Sequence, residues 1–84
     1  MRSIYHEPGI YLIRVAGGLD AQRADRLGGL TISQAAPATK TDAAIVELTG
    51  YLPDQAALNG VLNTLYDYHY PVLRVEYLGP ADES

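Results

Sequence analysis

Four short β-branched or alternating segments, punctuated by glycine and proline, constrain this chain more than any other feature. Ile10-Tyr11-Leu12-Ile13-Arg14-Val15 is opened by Pro8-Gly9 and closed by Gly17-Gly18. Leu30-Thr31-Ile32-Ser33 alternates apolar and polar residues, Ala43-Ala44-Ile45-Val46-Glu47-Leu48-Thr49 is stopped at Gly50, and Val72-Leu73-Arg74-Val75-Glu76-Tyr77-Leu78 follows Pro71. Each reads as a strand, because side chains in extended backbone alternate between two faces and Gly or Pro ends the run.

Two helical segments separate the strands. Leu58, Val61, Leu62, Leu65 and His69 follow the spacing of one buried stripe. Pro53 or Asp54 suits the start of that helix and Tyr70-Pro71 its end. A shorter helix is expected over Leu19–Leu27, with Asp20 as N-cap, Ala21, Ala24 and Leu27 as a narrow stripe, and Gly28 or Gly29 just past its end. The order β-α-β-β-α-β predicts an α+β, ferredoxin-like βαββαβ sandwich: a four-stranded antiparallel sheet with two helices on one face and the first and third strands in the middle. Residues 1–9 are expected as an N-terminal extension, 10–78 as a single α+β domain, and 79–84 as a flexible acidic tail.

Composition narrows function by exclusion. The chain has 84 residues, no cysteine, seven tyrosines as its only aromatic residues, and a net charge of −4. Without cysteine there is neither a disulfide nor a thiolate metal cluster. The acidic balance argues against nucleic acid, whose phosphates demand a basic face. No apolar run is long enough for a membrane span or a secretory signal, so a cytoplasmic protein is expected. His6 and His69 lack ligand-type partners at metal-binding spacing, and no serine stands in a nucleophile elbow. Gly17-Gly18 is too little for a phosphate-binding fingerprint. No catalytic, cofactor or metal residue is therefore assigned.

Alternation gives the two faces of the sheet. Tyr11, Ile13, Val15, Leu30, Ile32, Ala44, Val46, Leu48, Leu73, Val75 and Tyr77 are expected toward the helices. Leu12, Arg14, Thr31, Ser33, Glu47, Thr49, Val72, Arg74 and Glu76 are expected on the opposite face. That second face admits two readings, a solvated surface laced with ion pairs or a subunit interface. Arg14, Glu47, Arg74 and Glu76 are its candidate contacts. Tyr66 and Tyr70, read as sharing one side of the long helix, form a second candidate, since tyrosine suits half-buried interfaces.

Leu48-Thr49-Gly50, Asp54-Gln55-Ala56-Ala57-Leu58, Gly60, Leu62 and the ending Pro71-Val72-Leu73-Arg74-Val75 together resemble a group of short, uncharacterised bacterial proteins. The similarity covers residues 10–78. Members commonly carry His where this chain has Asn59, and aromatic residues near Arg23 and Arg26. The resemblance implies a small α+β domain and supplies no catalytic residue. The expected function is a non-enzymatic interaction or regulatory module that forms a homo-oligomer or meets another protein. The alternative is a cofactor-independent enzyme or small-ligand-binding protein of the dimeric α/β-barrel kind.

Overall fold

The computed structural model describes residues 8–17 and 29–80. These form strands β1 (Gly9–Ala16), β2 (Thr31–Ala36), β3 (Ile45–Leu52) and β4 (Val72–Gly79), with one helix, α1 (Gln55–Asp67), between β3 and β4. The sheet is antiparallel in the order β2-β3-β1-β4. β1 and β3 hold the middle, as the sequence reading expects.

The ferredoxin-like βαββαβ sandwich with two helices is corrected: the described residues contain a single helix on the four-stranded sheet. The helix expected over Leu19–Leu27 lies outside the described residues.

β1 is the middle of the core. Its burial alternates along its whole length, with Tyr11, Ile13 and Val15 at 1%, 0% and 0% exposure. Opposite them on β3 stand Gly50, Leu48 and Val46. From α1, Leu58, Val61 and Leu65 close over this face, and Leu30 and Leu52 complete the cluster. Each such aliphatic side chain contributes about 1.5–3 kcal/mol on full burial.

β3 runs through Gly50 rather than stopping there. The side chain of Leu30 lies over this glycine, and a Cβ at position 50 would meet its Cδ2 at 2.6 Å. The glycine admits a neighbour to the core rather than ending the strand. β4 departs from simple alternation at two places. Arg14 pairs with Arg74 while Val15 pairs with Val72, so Leu73 is an extra residue, and Leu78 is bypassed in the same way near Ile10. The bulges correct two expectations. Val72 turns inward to pack against the core, and Leu73 is half exposed on the edge strand. Ala44 precedes β3, where its carbonyl accepts the Gly17 N–H at 2.7 Å.

Both ends of α1 are explained by named groups. The Asp54 carboxylate accepts the Ala57 N–H at 2.9 Å, an N-cap. At the other end His69 takes a left-handed conformation, φ 65°. Its N–H donates to the Tyr66 carbonyl at 3.0 Å, and that of Tyr70 to the Leu65 carbonyl at 2.9 Å. This is a Schellman closure, with Tyr70 also packing against the core that Leu65 fills. His69 thus ends the helix through its backbone, and its side chain is exposed rather than part of the buried stripe.

Two stability outcomes follow. Leu65→Ala is expected to cost about 2–5 kcal/mol in urea unfolding, and clearly more than Leu62→Ala, since Leu62 is only partly buried. His69→Gly is expected to raise stability by about 0.5–1 kcal/mol, because glycine occupies the left-handed region without the Cβ penalty.

Candidate functional site

With α1 on the Tyr11/Ile13/Val15 face, no described helix lies on the other face of the sheet. The register β1↔β3 builds this open face row by row: Ile10 beside Tyr51, Leu12 beside Thr49, Arg14 beside Glu47, Ala16 beside Ile45. On one flank β4 places Arg74 next to Arg14 and Glu76 next to Leu12. On the other, β2 places Ser33 next to Glu47, Thr31 next to Thr49, and Ala36 next to Ile45.

Arg14 donates from Nε to Glu47 Oε2 at 3.1 Å and from Nη2 to the same oxygen. The side chains are 43% and 21% exposed. On the edge strand Arg74 Nε lies 3.4 Å from Glu76 Oε1, with both groups well exposed. The Arg74–Glu76 pair, open to water on both sides, contributes well under about 1 kcal/mol to the fold. The two arginines and two glutamates carried by the strands of this face sum to zero in a chain whose net charge is −4. Ile10, Leu12, Ala16 and Ile45 around them are half-buried.

The face is not flat. At its hairpin end the small side chains of Ala16 and Ala36, with Ile45, floor a hollow of about 420 Å³, walled by Leu73 on one side and by Pro37, Thr39, Asp42 and Ala43 on the other. That wall is stiffened by the Thr39 hydroxyl, which accepts the Asp42 N–H at 2.9 Å. At the opposite end stands Tyr51, 50% exposed. Sequence reading misses Tyr51, although its alternation with Thr49 and Glu47 carries the signal once β3 is allowed past Gly50.

The structure brings Arg14, Glu47, Arg74 and Glu76 onto one surface, but it does not unite Tyr66 and Tyr70. α1 ends before Tyr70, which sits half-buried against the core and beside Gly17, where a Cβ would meet its ring at 2.6 Å. Tyr68 stands edge-on to it at 6.5 Å, whereas Tyr66 is 66% exposed on the helix.

A second concavity of about 330 Å³ lies between α1 and the edge strand β4. Leu58, Leu62, Val72 and Val75 give it an apolar floor, Gln55 and Asn59 supply polar groups, and the backbone of β4 at Arg74 forms part of its edge. Its described lining contains no carboxylate, imidazole or hydroxyl to act as acid, base or nucleophile. Among the described residues no three His, Cys, Asp or Glu side chains converge as a metal site, and no helix is long and apolar enough to cross a membrane. Asp20, Asp25, His6, Asp82 and Glu83 lie outside the described residues. The Gly17 amide, half of the glycine pair considered as an anion site, is committed to Ala44.

Fold and surface define a class: a small antiparallel sheet with one described helix, an open balanced face and no assembled catalytic group among the described residues. The chain belongs to the family described as Domain of unknown function (DUF8691), whose model matches residues 10–76. No curated protein and no solved structure matches it.

Proposed function

We propose that this protein is a small non-enzymatic interaction module that self-associates through the open face of its sheet. The observation that carries the reading is the charge balance of that face. Arg14, Glu47, Arg74 and Glu76 sum to zero while the chain as a whole is acidic. Two acidic molecules repel over most of their surfaces, and here they meet without net repulsion. The half-buried Ile10, Leu12 and Ile45 supply apolar area, which a small domain gains stability by covering. The face measures roughly 20 by 25 Å, about 500 Å² before side-chain relief. Stable interfaces cover about 800 Å² per partner, so a weak, concentration-dependent oligomer is the form expected.

Light scattering over a concentration series tests this. The mass is expected to rise above that of one chain as concentration approaches about 1 mM, and Arg14→Glu, which sets a second acid beside Glu47, is expected to hold it at one chain. A strict monomer throughout the series contradicts the reading.

The groove between α1 and β4 favours a second reading, non-catalytic capture of a small ligand. Its volume reaches the lower end of ligand sites, about 300 Å³, and the polar residues Gln55 and Asn59 line its helix side. A fragment screen followed by amide chemical shifts is expected to move Gln55 and Asn59 together; no response at either removes this reading.

A further inference from the structure

We infer that two copies pack open face to open face about a two-fold axis running across the strands, so that Tyr51 of each enters the alanine-floored hollow of the other. This deepens the self-association reading and rests on it. The knob and the hollow lie on the same face at opposite ends. Tyr51 and its neighbour Ile10 stand at one end, and Ala16, Ile45 and Ala36 at the other. Both ends are three residues from the central pair Ile13↔Leu48. A two-fold axis over that pair, perpendicular to the strands, carries each end onto the other. It sets Tyr51 over the partner's Ile45 and Ile10 over the partner's Ala16.

The same operation is tested independently by charge. Arg74 and Glu76 flank the row of Ile13 on β4, in the rows of Arg14 and Leu12. The axis therefore sets Arg74 over the partner's Glu76, and Glu76 over the partner's Arg74. Arg14 comes to rest beside that same partner carboxylate, while Glu47 faces the partner's Thr49, whose hydroxyl can donate to it. An axis shifted to the Arg14 row fails this test, since it stacks arginine on arginine and glutamate on glutamate. An axis running along the strands fails on shape, because it opposes hollow to hollow and leaves both unfilled. Shape and charge select one arrangement. The pairing is isologous and closed, so the product is a dimer rather than a fibre.

The experiment uses a pair of edge-strand variants, Arg74→Glu and Glu76→Arg, each checked for wild-type circular dichroism. Both side chains are exposed and their mutual pair contributes little to folding. Sedimentation is expected to show each variant alone as a monomer, since like charges then face one another across the axis. Their equimolar mixture is expected to be a dimer, since the acids of one variant then face the bases of the other. Tyr51→Ala is expected to weaken the wild-type dimer by about tenfold or more, as loss of a central aromatic anchor does. Variants that dimerise alone like wild type, or a mixture that stays monomeric beside a dimeric wild type, overturn this geometry and leave self-association standing. A wild-type protein that never associates removes self-association itself.

Discussion

The pairing of β1 with β3 is the constraint on which the rest depends. It sets Ile13 against Leu48 on one face and Arg14 against Glu47 on the other. Side chains in a strand alternate strictly, so a slip of one residue in either strand would send that strand's charge into the core and its aliphatic into water. Burying that arginine and glutamate without water would cost several kcal/mol per ion. The register is held by this difference between the faces, with the Arg14–Glu47 pair closing the row on the outer side.

Given that register, the helix has one place to go. Its stripe of Leu58, Val61 and Leu65 meets Tyr11, Ile13, Val15, Val46 and Leu48. A carboxylate cap at its start and a left-handed histidine at its end fix its length, so the chain returns as β4 at the sheet's edge. The two bulges in β4 are tolerated because one side of an edge strand has no neighbour to keep in step with. They push Leu73 and Leu78 outward, and Leu73 becomes a wall of the hollow. Core packing and surface shape are thus two results of the same strand pairings.

Much of this is legible in the residues themselves. The positions of β1, β3 and α1, the core role of Val46 beside an outward Glu47, and the gathering of Arg14, Glu47, Arg74 and Glu76 all follow from periodicity and punctuation. The departures have local causes. Gly50 reads as a strand stop because glycine usually punctuates, yet here it makes room for Leu30, a contact distant in sequence. Val72 and Leu73 exchange faces because a bulge inserts Leu73 into β4, a shift that the alternation of apolar and polar residues does not announce. Tyr70 leaves the helix because His69, a residue with a Cβ, accepts the left-handed turn that glycine normally takes. The hollow is tertiary: Ala16, Ala36 and Ile45 come from three strands, and no window of sequence contains it. The two-helix sandwich comes from completing a familiar order of elements, whereas the described residues hold one helix on the sheet.

The central claim is that one side of the sheet is permanently dry and that the other, which no described helix covers, is the side proposed to meet a second copy. Methyl chemical shifts measured across a dilution series test it most directly. Ile10, Leu12 and Ile45 should move together with concentration, while Ile13, Leu48 and Leu65 stay fixed. Concentration-dependent shifts confined to Ile13, Leu48 and Leu65, with Ile10, Leu12 and Ile45 unmoved, would contradict the assignment of the two faces.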